Sequence, residues 1–265
     1  MLSGRGGVTA FQVDRHWYGA DASQYAELYR PHGRARHTVV VLFHGGFWRS
    51  AYGADHLAGV AADLAGRGWV VWNAEYRRVG NGGGASETLA DASAAVDALA
   101  EVAETRARRV VVVGHSAGGH LATWVAGRGA AARAGLGPAP RVEVEAVVSL
   151  AGVLDLTRAA TEAIGEGATV SFMGGPPEDL PDLYTLADPL ARIPIDAVVR
   201  CVHARSDQRV PFAQSETYVT LARAAGMDAT LIEATGDHFS VVDTAAADWS
   251  VVLEVLEGLS AASNS

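Results

Sequence analysis

The sequence predicts an α/β protein, with a mostly parallel central sheet and helices on both faces. Three observations carry this. Short uninterrupted apolar runs recur at residues 38–43 (TVVVLF), 69–72 (WVVW), 110–113 (VVVV), 146–150 (AVVSL) and 197–202 (AVVRCV), with a weaker one at 229–232. Such runs suit strands buried on both faces, and each is too short for an ordinary helix. Helical periodicity fills the intervals, and strands alternating with helices build βαβ units. Hydrophobic residues make up 49% of the 265, and no linker composition divides the chain. One domain over residues 1–265 is therefore expected, with residues 1–10 and 260–265 as loose ends.

The helices follow from spacing. Leu89, Ala92, Val96, Leu99 and Ala103 recur every three or four residues, while Asp91, Asp97, Glu101 and Glu104 fall largely on the other side. This predicts an amphipathic helix with Ser86 as its N-cap. Residues 121–126, 211–225 and 240–259 are further helix candidates. The Ala/Gly-rich stretch 127–140 reads as surface loop. Residues 155–194 are less regular, and are expected to leave the sheet as a small cap beside the functional site.

Composition narrows the function. Net charge is −9 and no basic cluster is dense enough to track a phosphate backbone, so nucleic acid is not an expected partner. The three arginines within residues 106–109 read as a solvated helix end or turn. Cys201 is the sole cysteine, which rules out an internal disulfide and a cysteine zinc site. The histidines show no His-Glu-x-x-His pattern, and no metal or other cofactor is expected. No signal-like apolar segment follows the start, and no apolar run reaches the ~18 residues of a membrane span. A cytoplasmic protein with no membrane contact is the expectation.

Residues 110–119 read VVVVGHSAGG. Gly114-His115-Ser116-Ala117-Gly118 fits Gly-x-Ser-x-Gly between a strand and a helix, the setting in which a serine is presented as a nucleophile. The turn is so tight that side chains at 114 and 118 would collide with backbone, hence glycine. The helix N-terminus beyond it favours developing negative charge. Residues 39–48 read VVVLFHGGFW, a second strand ending in a glycine pair. Acyl transfer needs two aimed N–H donors for the carbonyl oxygen. Gly46 or Phe47 would supply one and Ala117 the other. His44 reads as a structural hydrogen-bonder.

The acid and base follow in the order Ser, Asp, His. Asp207 lies just past the strand at 197–202, and His238 lies between the last strand candidate and the final helix. Each sits in a strand-end loop, where an open α/β sheet gathers its functional groups. His238 would take the Ser116 proton and later return it to the leaving group. Asp207 would fix the imidazole tautomer. Asp155 and Asp237 are the competing acids. Phe47, Trp48, Tyr52, Phe172 and Phe239 are aromatic candidates for an acyl or aryl pocket. Trp48, Phe172 and Phe239 are carried as substrate contacts, with core packing as the other reading for Trp48 and Phe239.

Residues 80–85 (GNGGGA) fit Gly-x-Gly-x-x-Ala. Residues 75–79 intervene before the glycines, and no acidic strand end follows ~20 residues on. A flexible loop is expected there, not a dinucleotide site.

Together HGGFW (44–48), GHSAGGH (114–120), DQRVP (207–211) and GDHF (236–239) resemble α/β-hydrolase esterases, in the group containing bacterial acetyl-esterase-like proteins and kynurenine formamidases (arylformamidases). YGAD (18–21) with YRP (29–31) resembles that group's opening strands. EYRR (75–78) and SLAGVLDL (149–156) are also similar. Phe47 stands where hormone-sensitive-lipase relatives carry the third glycine of HGGG. The resemblance implies the α/β-hydrolase fold, a Ser116–Asp207–His238 triad and an HGG oxyanion donor. It implies a serine hydrolase with a small-molecule ester or amide substrate, a small carboxylic ester first. An arylformamide is the nearest alternative. An acyltransferase or biosynthetic cyclase would use the same triad, and a non-catalytic binding protein of this fold is the reading from another class.

Overall fold

The structure, a computed structural model, describes residues 10–106, 108–133 and 139–261. The strands are β1 (Phe11–Trp17), β2 (Tyr25–Pro31), β3 (Thr38–Phe43), β4 (Val70–Ala74), β5 (Arg109–His115), β6 (Ala146–Leu150), β7 (Val198–Ala204) and β8 (Ala229–Ala234). They form one sheet in the order β1-β2-β4-β3-β5-β6-β7-β8. From β4 to β8 every pairing is parallel, whereas β1–β2 and β2–β4 are antiparallel. This mostly parallel sheet with helices on both faces is the α/β-hydrolase fold.

Burial on both faces explains why the central strands are solidly apolar. Val39, Val41 and Phe43 of β3 point into one core with Val110 and Val112 of β5. There they meet α2 (Ala85–Asp97), α3 (Ala117–Ala126) and α8 (Ala213–Ala224). The alternate residues Val40, Leu42, Val111 and Val113 point the other way. They pack against α1 (Ala58–Gly66) and α9 (Ala247–Ala261). Alternation along each strand thus feeds two apolar layers.

Several details depart from the sequence reading. The 155–194 stretch folds as α5 (Leu156–Thr161), α6 (Ile164–Met173) and α7 (Pro181–Ala187), with left-handed backbone at 165–167 inside α6. A short α4 (Arg128–Arg133) occupies part of the expected 127–140 loop; residues 134–138 lie outside the described residues. Of the 106–109 run, Arg109 begins β5 and residue 107 is outside the description. Helix α9 continues through 260 and 261, where a loose end was expected; residues 1–9 and 262–265 are not described. Helix α2 is capped by Gly84, and Ser86 lies within its first turn. Among the described residues no helix is long and apolar enough to cross a membrane.

Asp91 also changes place. Its spacing set it on the polar side of α2, yet it is 1% exposed. Its carboxylate accepts from Gln24 Nε2 at 2.7 Å and from the Arg77 backbone N–H, Nε and Nη2 at 2.9, 2.9 and 2.7 Å. The acid locks the β1–β2 turn and the segment after β4 onto α2. Asp91→Ala leaves the Arg77 charge without its partner and should cost about 3 kcal/mol. Urea unfolding checks this, and an unchanged midpoint would contradict the role.

Candidate active site

Because β3, β5, β7 and β8 run parallel, their carboxyl ends open on one edge of the sheet, and every predicted reactive residue sits there. Ser116 follows β5 directly, with φ 57° and ψ −117°. This left-handed backbone is unusual for a serine and stores about 1–3 kcal/mol that the surroundings must offset. The Ser116 N–H donates to the Leu150 carbonyl at 2.8 Å, and its carbonyl accepts from Gly119 and Val153 at 2.9 and 3.3 Å. A Cβ on Gly114 would come within 2.0 Å of the Gly118 carbonyl oxygen, and one on Gly118 within 2.0 Å of the Phe43 carbonyl oxygen. Neither can shift, because both obstacles are backbone.

The loop after β3 lies against this turn. A Cβ on Gly45 would stand 2.9 Å from the His115 carbonyl oxygen and 3.1 Å from Ser116 Cβ. Gly46, Phe47 and Trp48 all have positive φ (104°, 55° and 53°), and Arg49 N–H closes the bend on the Gly46 carbonyl at 3.0 Å. Among the described residues the amides of Gly46, Phe47 and Ala117 meet no acceptor. They remain available as donors beside Ser116.

His238 Nδ1 donates to Asp207 Oδ2 at 2.7 Å. The Asp207 Oδ1 accepts the Arg209 and Val210 amides at 2.7 and 2.9 Å. Burial alone would raise this carboxyl's pKa. Hydrogen bonds from His203 and His238, the His238 charge and the Val210 amide outweigh it and hold it far below the usual carboxylate range. The neighbour of the serine reaches the same loop, since His115 Nε2 bonds the His238 carbonyl at 2.8 Å and the two rings lie 4.7 Å apart. Ser116, Asp207 and His238 are thus gathered at one place. The competing acids are occupied elsewhere: Asp155 caps α5 through the Arg158 amide, and Asp237 accepts the amides of Phe239 and Ser240.

Burial decides Trp48 for core packing and corrects the expectation that Phe172 contacts substrate. Trp48 and Phe172 are each 1% exposed, and their rings stack at 4.5 Å with a 14° tilt. Trp48 Nε1 donates to His120 Nδ1 at 3.2 Å, and His120 Nε2 donates to the Ala187 carbonyl at 3.0 Å. Burial pushes the His120 pKa down to about 4, in keeping with a neutral ring that accepts at Nδ1. Both aromatics are core residues joining the 44–48 loop to α3 and to the α6–α7 segment. Phe239 differs: it is 45% exposed, with its ring 5.1 Å from His238. Tyr52 is 44% exposed and lies over Gly46. His56 stands between them, its ring 6.3 Å from each.

Sequence reasoning took His44 for a structural hydrogen-bonder, as it is, but missed its partners beneath the loop. His44 is fully buried, with Nδ1 2.7 Å from the Gly45 carbonyl and Nε2 3.1 Å from Glu75 Oε1. Arg78 pairs with Glu75 and donates to the Tyr52 carbonyl at 2.6 Å. Burial would raise the Glu75 carboxyl, but His44, Arg78 and the Tyr76 amide bring its pKa below the ordinary value. The signal was a carboxylate and two arginines directly after an apolar strand. The 80–84 glycines complete this support. A Cβ on Gly83 would lie 2.4 Å from the Arg78 nitrogen, and Val79 bonds the Trp48 carbonyl at 2.8 Å. Among the described residues no cluster of three or more His, Cys, Asp or Glu side chains is placed to hold a metal ion.

The BD-FAE family model matches residues 26–221. A search of curated proteins finds no match. Three solved structures illustrate the likeness. A truncated carbohydrate esterase from gut microbiota is 19% identical, with a TM-score of 0.78 over 96% of this chain and 98% of that one. Inhibited Esterase B from Lactobacillus Rhamnosis is 21% identical, with a TM-score of 0.79 over 97% and 89%. A thermophilic esterase from the Planctomycetes species Thermogutta terrifontis is 21% identical, with a TM-score of 0.72 over 94% and 91%. At these identities the likeness concerns the fold.

Two outcomes follow from the geometry. Asp207 has a depressed folded pKa, so its stabilisation is present above the unfolded value of about 4 and is lost as pH falls through the folded one. Asp207→Asn should therefore flatten the acid-side loss of stability below pH ~4, read by urea titrations across pH. Trp48→Phe keeps the stack but strands His120 Nδ1. It should cost about 1 kcal/mol, a few degrees in Tm, by thermal unfolding.

Proposed function

The chain belongs to the BD-FAE family and has the α/β-hydrolase fold, and on that premise we propose that it hydrolyses a small carboxylic ester through an acyl-enzyme on Ser116. One observation carries this reading. A strained serine, three amides without acceptors and a carboxylate–imidazole pair meet at a single sheet edge.

In the first step Ser116 Oγ bonds to the ester carbonyl carbon. His238 Nδ1 is committed to Asp207, so Nε2 takes the serine proton. Negative charge gathers on the carbonyl oxygen and is met by the Phe47 and Ala117 amides, with Gly46 beside them. Such donors act without reorganising, and losing one typically costs ~10²–10³ in rate. The tetrahedral adduct collapses, the carbon–oxygen bond to the alcohol breaks, and His238 returns the proton to the departing oxygen. Water then attacks the acyl carbon while His238 takes a water proton, and collapse frees the acid and the Ser116 hydroxyl. Asp207 stays ionised throughout and steadies the imidazolium.

Tyr52, His56 and Phe239 form the substrate-facing rim in this reading. Helices α5 to α7 act as the cap, meeting the donor loop where Arg49 Nη2 bonds the Gly165 carbonyl at 3.0 Å. The HGG-aromatic-Trp form does not favour a formamide, because Trp48 is buried and has no face toward a substrate. The same machinery would serve an acyltransferase if an alcohol replaced water in the second half. Nothing in the site selects that route.

Ser116→Ala should lower ester turnover by about 10³-fold or more while leaving the fold intact. A short-chain alkyl phosphonate, of the class bound by Esterase B from Lactobacillus Rhamnosis, should add once to wild type, at Ser116 by peptide mass. Full activity in the alanine variant, or an adduct elsewhere, would overturn the assignment. A panel of short and long p-nitrophenyl esters, acetylated sugars, feruloyl esters and N-formylkynurenine identifies the acyl and leaving groups.

A further inference from the structure

Asp207 meets a second imidazole. His203 is the penultimate residue of β7 and is fully buried. Its Nε2 stands 3.2 Å from Asp207 Oδ2, the oxygen that also accepts from His238. The same Nε2 is 3.0 Å from the Val210 carbonyl. Facing two acceptors and no donor, that nitrogen carries a proton. On the far side of the ring, Nδ1 lies 2.8 Å from Ser215 Oγ on α8. When the hydroxyl donates there, the ring is neutral, and its single proton lies between the Val210 carbonyl, its closer hydrogen-bond partner, and Asp207 Oδ2. The carboxylate then takes two amides on Oδ1 and the His238 N–H on Oδ2, with the shared His203 N–H 3.2 Å from that same oxygen.

We propose that His203, held by Ser215, is a positioning residue for Asp207: it donates to the carboxylate oxygen that binds His238 and so sets how strongly that oxygen holds the catalytic imidazolium. The proposal rests on the acyl-transfer reading of Ser116. A neutral donor aims Oδ2 without cancelling its charge, whereas a lysine or arginine there would compete with His238 for the full negative charge. The donor also has unequal effect on the two states of the pair. With His238 neutral, Asp207 carries an uncompensated buried charge and gains most from His203. With His238 protonated, the imidazolium already neutralises it. Removing His203 therefore raises the energy of the unprotonated pair more, and the pair keeps its proton to higher pH.

Other groups around this pair do not supply the same effect. His115 from β5 bonds the backbone carbonyl of His238, and His56 faces it from the turn at 54–57. Burial lowers the pKa of both, with His115 at about 3. Asp237, next in sequence to His238, is turned to its own loop amides. Arg205 pairs with Glu233 in solvent, and Arg209 reaches Asp207 through its amide. Cys201, the thiol beside Ser215, is pushed up to about 12 by burial and stays uncharged.

The test compares wild type with His203→Leu, His203→Gln and Ser215→Ala. His203→Leu should move the acidic limb of kcat/KM upward by roughly half a pH unit or more and lower kcat about tenfold, with KM within about twofold. His203→Gln places an amide donor near the Nε2 position and should restore most of both. Ser215→Ala should shift the limb in the same direction by less. NMR titration of the His238 ring reads the coupling without relying on turnover. Should His203→Leu fail to fold, the Gln and Ala variants decide by the same readouts. Limbs and His238 titrations that superimpose on wild type in every folded variant would overturn the proposal. If wild type itself neither turns over ester nor takes the phosphonate, the acyl-transfer reading falls. The His238 titrations then still decide whether His203 tunes the pair.

Discussion

The site depends on one steric constraint, the contact of bare backbone with bare backbone at the carboxyl ends of β3 and β5. Gly118 rests on the Phe43 and His44 carbonyls, Gly114 on Gly118, and Gly45 on the Ser116 turn, each with no room for a Cβ. These contacts set the height of Ser116 above the sheet and the separation of the 44–48 loop from the start of α3. Glycine is therefore structural at these positions, and the reactive geometry is its consequence. The left-handed serine persists because the end of β6 and the segment after it grip it from the side, through Leu150 and Val153. Strain at one residue is held by hydrogen bonds to β6, the segment after it and the first turn of α3.

A loop with three consecutive left-handed residues needs its own support. That support is polar below and aromatic to the side. Glu75 meets His44, Arg78 and the amides of Ala54 and Tyr76. A buried ion pair is a weak source of stability, because desolvation offsets most of the attraction. Its worth here lies in direction. The carboxylate draws His44, Arg78 and two amides to one point, and that arrangement fixes the course of the chain from 44 to 54. The Trp48–Phe172 stack does the same on the other side and ties the loop to the α5–α7 segment.

The central strands were legible because a sheet buried on both faces leaves no polar alternation, and β3 and β6 fall where their apolar runs lie. Strand β1 was not legible from periodicity. It is an edge strand, mostly half-buried or exposed, and its sequence FQVDRHW alternates in polarity like any surface segment. The positions of Ser116, Asp207 and His238 could be read because reactive groups of this fold collect in strand-end loops. The buried partners could not. Asp91, Glu75, Arg78 and His203 are polar, and composition counts polar residues as surface. Only their hydrogen bonds distinguish them. Trp48 stayed open between core and substrate for the complementary reason: an aromatic beside a reactive loop looks like a substrate contact until its burial is known.

Four histidines of this region show how environment divides one residue type into several roles. His115 and His120 are enclosed, and burial drives their pKa values to about 3 and about 4, so both stay neutral and serve as fixed hydrogen-bond connectors. His44 is enclosed as well, but lies against the Glu75 carboxylate and anchors the loop. His238 alone faces a carboxylate that is deeply stabilised as an anion and also borders the exposed rim at Phe239. An imidazole can cycle through its charged form only where that charge is met when it appears, and only near a place where a substrate can arrive. Both conditions hold at His238, which is why the proposed mechanism gives the proton-transfer role to it although His115 is the serine's nearest neighbour in sequence.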